Sequence, residues 1–220
     1  MSTTINLKEL ERKAWKSFFQ DGLWDIYLGL LLMSMGISAL LSDAGFSKTW
    51  YYAIYIGLIL ASALILWTGK KFITVPRMGR VKMGPKGKAR RKKSMILLVA
   101  SLVVGAALFL LALVVRDIRP EWLDVSLVFP AGYVLNMLVV FSLGAYFLEF
   151  NRLYLIGVMY ALPVPVDVLL HELVGIDASF FAFAVPAAIV LAIGIVLFLR
   201  FLRDYPVPAV PAEVTGNGDR

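Results

Sequence analysis

Lys70-Lys-Phe-Ile-Thr-Val-Pro-Arg-Met-Gly-Arg-Val-Lys-Met-Gly-Pro-Lys-Gly-Lys-Ala-Arg-Arg-Lys-Lys93 decides how this chain is arranged. It carries eleven of the 22 Lys and Arg residues and no Asp or Glu, and it lies between two long apolar segments. Lys and Arg accumulate in cytoplasmic loops of membrane proteins because moving them across the bilayer is unfavourable, so this connector is predicted to face the cytosol.

Outward from it, the composition supports the same class. A content of 60% hydrophobic and 17% charged residues leaves too much apolar surface for one water-soluble domain. About 20 apolar residues cross roughly 30 Å of hydrocarbon. Six stretches have that length: 22–41, 50–69, 95–115, 125–147, 152–174 and 180–202. The predicted fold is therefore all-α, a polytopic membrane protein with a bundle of six transmembrane helices over residues 22–202. Both termini then lie in the cytoplasm, with 19 Lys and Arg residues inside against Lys48, Arg116 and Arg119 outside. The net charge of +7 is read as orientation in the plasma membrane, and no nucleic acid is expected as a partner.

Before the first span, residues 1–21 predict an amphipathic interfacial helix. Asn6 and Glu9 give a capping-box-like start, and Leu7, Leu10, Ala14 and Phe18 recur at helical spacing among Lys8, Glu11, Arg12, Lys13 and Lys16. The apolar run after Asp21 is read as a retained span, not a cleaved signal. Residues 203–220, with Pro206, Pro208 and Pro211 followed by glycines, predict a disordered cytoplasmic tail. Small residues four apart, at Gly57 and Ala61, Ser101 and Gly105, and Ala184, Ala188 and Ala192, predict faces for close helix packing, within the bundle or in a homo-oligomer.

Three groups of residues could carry chemistry. In the fifth span Pro163 and Pro165 remove two backbone donors, so the helix is predicted to kink or unwind there. Asp167 follows. An acid at such depth is normally paired or lines a pathway, and its candidate partners are Asn136 and His171, with Glu172 adjacent. Asp167 and His171, four apart, would suit proton coupling or pH sensing. His171 and Glu172 resemble the start of a zinc-protease helix only superficially, because Gly175 stands where the second His would be. The lone His and the absence of Cys leave no metal centre or cofactor to assign.

The second group is an acidic collar at the cytoplasmic side: Asp21 and Asp25, four apart at the start of the first span, and Glu149 at the inner end of the fourth. Their expected role is ion pairing that anchors the basic loop. The third is the loop itself. Its first part, 72–84, mixes apolar and basic residues and suits a short hairpin or cap. Arg77, Arg80, Lys82, Lys86, Lys88, Arg90, Arg91, Lys92 and Lys93 are expected to bind anionic membrane lipids.

The leading expectation is a small ion or solute transporter or channel with a broken fifth transmembrane helix. The alternative is a non-catalytic accessory or sensor protein that binds anionic lipid or a partner protein through the loop. An enzyme is disfavoured, with no nucleophile motif or phosphate loop present.

Overall fold

The computed structural model describes residues 19–78, 125–175 and 178–206, with separate helical pieces between residues 89 and 110. The expected N-terminal helix, most of the basic loop, part of the third span and the tail beyond residue 206 lie outside the described residues. Those described are helical, with no strand among them. The helices are α1 (Leu23–Asp43), α2 (Lys48–Thr68), α3 (Val125–Leu148), α4 (Arg152–Ala161), α5 (Pro163–Val174) and α6 (Ser179–Asp204). With α2 extended to Arg77, and with α4 and α5 running on as one rod, five helices among the described residues are long and apolar enough to cross a membrane.

Close backbone contact between α1 and α6 organises the bundle. A Cβ at Gly22 would lie 2.5 Å from the Gly194 carbonyl oxygen, one at Gly29 2.7 Å from Leu191 Cγ, and one at Gly194 2.7 Å from the Ile26 amide nitrogen. These are distances no side chain could occupy, so glycine is what lets the two helices meet. The seam runs antiparallel along Gly22, Gly29 and Gly36, a spacing of seven that returns to the same face every two turns. The α3 and α4 pair repeats the device at Gly157, where a Cβ would sit 2.5 Å from that of Phe141.

The expected four-residue stripes are used differently. A Cβ at Gly57 would meet nothing within 4 Å, and neither would one at Gly105. Gly57, Ala61, Ala188 and Ala192 are exposed. The buried face of α6 is instead Ala182, Ala187, Val190, Gly194 and Phe201. Leu32, Ala187 and Val190 form the centre of the core, with Ile156 and Tyr160 beside them.

The fifth expected span bends at Leu162 but does not unwind. Leu162 keeps φ −68° and ψ −38°, and hydrogen bonds run from Leu162 N–H to the Val158 carbonyl and from Val166 N–H to the Leu162 carbonyl. Pro163 and Pro165 remove two donors, toward the Met159 and Ala161 carbonyls, and the bonds made by Leu162 and Val166 keep the rod continuous around them. Over 70–78 the basic stretch is helical, with a π-helical turn at Gly69–Thr74 and a further helical turn at Val75–Met78, and residues 79–84 of the expected hairpin or cap lie outside the described residues.

Gly194→Val should lower stability in detergent by about 1–3 kcal/mol, since the new methyls meet backbone atoms that cannot withdraw. Gly57→Ala should be neutral or stabilising by up to about 1 kcal/mol, as expected for an open helical site. Thermal unfolding midpoints of the two variants check the contrast.

Candidate functional site

The ionic residues gather at one end of the bundle, where α1 and α4 begin and α2 and α6 end. Asp21 and Asp25 are 0% and 1% exposed. Burial of a carboxylate is costly unless it is paired and hydrogen-bonded, and both are. Asp21 Oδ2 accepts from Lys70 Nζ at 2.6 Å and from Thr74 Oγ1 at 2.7 Å. Its Oδ1 accepts the Leu23 N–H at 3.2 Å, capping the first turn of α1.

Lys70 and Thr74 are four apart and share a helical face, which is how one carboxylate reaches both, and the π-helical turn aims that face inward. Ser62 marks the buried line of α2. Counted at about 100° per residue, Thr74 would lie about 120° round from that line. A helix closed by i→i+5 bonds turns less per residue, so the stretch Gly69–Thr74 brings Thr74 back toward the buried side, beside Lys70.

Asp25, one turn into α1, faces the first residue of α4. Arg152 donates from Nε to Oδ1 at 3.1 Å and from Nη2 to Oδ2 at 2.9 Å, a two-pronged pairing. The same Nη2 donates to the Phe19 carbonyl at 2.6 Å, and the guanidinium lies 5.0 Å from the Phe150 ring centroid. Phe19 stacks on Phe150 at 5.2 Å, which closes the apolar side of the pair. Both acids stand at the N-terminal end of a helix, whose dipole favours their charge.

Arg152 is delivered by an unusual turn. Glu149 follows α3 with φ 52°, the left-handed region that glycine normally supplies. Glu149 N–H bonds the Tyr146 carbonyl and Phe150 N–H bonds the Ala145 carbonyl. Gly45 makes the same pair of bonds after α1, from Gly45 to Ser42 and from Phe46 to Leu41. Glu149 thus sits at this end of the bundle, half-buried, in the turn that aims Arg152 at Asp25.

Arg77 completes the end. It donates to the carbonyls of Leu202 at 3.1 Å and Tyr205 at 3.2 Å, capping the last turn of α6. Of the other basic candidates, Lys92 and Lys93 are exposed, while Arg80, Lys82, Lys86, Lys88, Arg90 and Arg91 lie outside the described residues.

The Asp167 group is placed at the other end. Asp167 is half-buried and accepts from Ser179 Oγ at 2.8 Å, across the turn into α6. His171 and Glu172 are exposed. Asn136 is half-buried on α3, and no hydrogen bond joins it to Asp167. Pro163 is buried and Pro165 half-buried. Near the bend, the Tyr160 carbonyl accepts from the Tyr133 hydroxyl at 3.0 Å, and the Tyr160 hydroxyl donates to the Leu28 carbonyl at 2.6 Å. This strut joins α3, α4 and α1.

The sequence reading missed Arg152 and the strut. Arg152 had a signal: it is the only cation between residues 120 and 199. Tyrosines inside apolar spans carried none. Among the described residues no group of three His, Asp or Glu side chains could hold a metal ion.

Apolar helices of spanning length, tied at one ionic end, give the chain the build of a polytopic membrane protein. Comparison with protein-family models, with curated proteins and with solved structures finds no match to it.

Arg152→Met should cost about 3 kcal/mol, because it leaves the Asp25 carboxylate buried opposite no cation. Adding Asp25→Leu should recover a large part of that loss. Denaturant titration of the two single variants and the double variant checks the coupling.

Proposed function

We propose that the chain is a six-span membrane protein, cytosolic at its ionic end, that acts as a non-catalytic accessory or sensor by binding anionic lipid through the basic connector. Parity supports the sixth span. Lys70 on Asp21 puts the end of α2 at the ionic end. Arg152 on Asp25 puts the end of α3 there too, so α3 begins at the opposite end. The chain between them has to cross once, and 95–115 is its apolar stretch.

The observation that carries the lipid reading is the saturation of the buried acids. Asp21 is engaged by Lys70 and Thr74, and Asp25 by Arg152. Those acids are therefore not what neutralises Lys86 to Lys93. Each cation near an anionic membrane surface is worth about 1 kcal/mol, which makes headgroup phosphates the ready counter-charge.

Transport is the second reading. It is favoured by Asp167, an acid half-buried within a proline-bent span. Against it, the core of the described residues between the two ends is built on apolar Leu32, Ile156, Ala187 and Val190.

Replacing the six cations at 86, 88 and 90–93 by Gln should abolish enrichment of phosphatidylglycerol over phosphatidylcholine in lipid co-purified with the protein. Unchanged enrichment would refute lipid binding by the connector. In proteoliposomes, ion or solute flux lost in Asp167→Asn would establish the transport reading instead.

A further inference from the structure

Among the described residues, helix α2 is covered on one side only. Ser62 is its one buried residue, and Tyr51, Tyr55, Leu58 and Leu66 beside that line are half-buried. On the opposite side Trp50, Ala53, Gly57, Leu60, Leu64, Trp67 and Lys71 follow alternating steps of three and four, and all are exposed. Such steps keep residues on a single face of a helix. Trp50 is 65% exposed, Leu60 64% and Trp67 56%, so the strip is open from end to end.

Trp50 stands at one end of the strip and Trp67 and Lys71 at the other, with only apolar residues between. Lys71 Nζ lies 4.7 Å from the Trp67 ring centroid and 5.2 Å from that of Phe72, so the ammonium rests on aromatic faces while its charge stays outward. The two indoles are 17 residues apart, about 26 Å at 1.5 Å per residue. A hydrocarbon core is about 30 Å thick, and about 40–45 Å with its headgroups. Indoles just inside the two boundaries, with the Lys71 ammonium one turn further out among the phosphates, fit that spacing.

We infer that this face of α2 is a lipid-facing strip, anchored in both leaflets by Trp50 and Trp67 with Lys71 beyond Trp67, and that phospholipid is its occupant. Charge separates this from a second copy of the chain. Two parallel copies meeting on this face about a two-fold axis would bring Lys71 against Lys71, whereas phosphate is the complementary charge. The inference rests on the reading that α2 crosses the bilayer, and the test separates the two.

The chain has no Cys, so single-cysteine variants of the full protein take one spin label each. Ala53→Cys, Leu60→Cys, Leu64→Cys and Phe72→Cys would be reconstituted in phosphatidylcholine vesicles, and collisions with oxygen and with a water-soluble nickel chelate measured. The expected result is a gain in oxygen collisions and a loss of nickel collisions from position 72 to positions 64 and 60, reversing toward 53. Low collision rates with both reagents at 53, 60 and 64 would mean that protein covers the strip, which overturns the inference and leaves the span intact. High nickel collision rates at all four positions would overturn the span itself.

Discussion

The first and last helices touch backbone to backbone, and most of the structure depends on that contact. In lipid, apolar side chains gain little by leaving their solvent, so helices associate through packing and through whatever polar bonds they can share. Gly22, Gly29 and Gly194 remove the atoms that would hold α1 and α6 apart. The seam is what brings the beginning of α1 beside the end of α6. Arg77, on the extension of α2, then reaches the Leu202 and Tyr205 carbonyls, while Asp21 on the other flank holds Lys70. Ends of chain far apart in sequence are tied within one layer.

That layer also explains where charge is tolerated. A buried ion pair recovers its desolvation cost only with good geometry and further hydrogen bonds. Asp21 takes three donors, and Arg152 serves Asp25 twice and the Phe19 carbonyl once. Both pairs sit at helix termini, where dipoles assist and the mid-bundle penalty is avoided. Deeper in, the polar bonds are between neutral groups: Tyr133 to the Tyr160 carbonyl and Tyr160 to the Leu28 carbonyl. The Tyr160 carbonyl lies close to the two prolines.

The positions of five of the six expected spans were legible, because spanning length is a strong signal: 152–174 was expected and Arg152–Val174 is found, interrupted at Leu162. Packing was less so. A search for small residues four apart found Gly57 and Ala61, which face outward, and passed over the seven-residue spacing of Gly22, Gly29 and Gly36. Both spacings keep one face, and which face is used depends on the partner helix, which no single segment encodes. In the site, Asp21 and Asp25 stood out as acids beside an apolar run. Their partners did not, since Arg152 is 127 residues from Asp25 and Lys70 looked like one more charge in a basic run. The π-helical turn that swings Lys70 and Thr74 toward Asp21 has no sequence signature in Gly-Lys-Lys-Phe-Ile-Thr.

Lys70 and Lys71 show most directly how helical phase assigns function. The two residues are chemically identical and adjacent, and a step of one residue turns a helix by roughly a quarter of a circle. Lys70 therefore points into the bundle, its side chain 13% exposed against a carboxylate with no exposure, and Lys71 points out over Trp67 and Phe72. One secures α2 to α1; the other stands at the outer rim beside Trp67. A tally of positive charge treats the pair as two equal votes for orientation. The structure divides them into a fixed internal cation and an outward-facing one, and the division is set by Asp21: with Lys70 and Thr74 both held on its carboxylate, the rotation of this end of α2 about its own axis is fixed. The outward direction of Lys71, and of the strip that continues from it through Trp67 and Leu60 to Trp50, follows from that single buried acid.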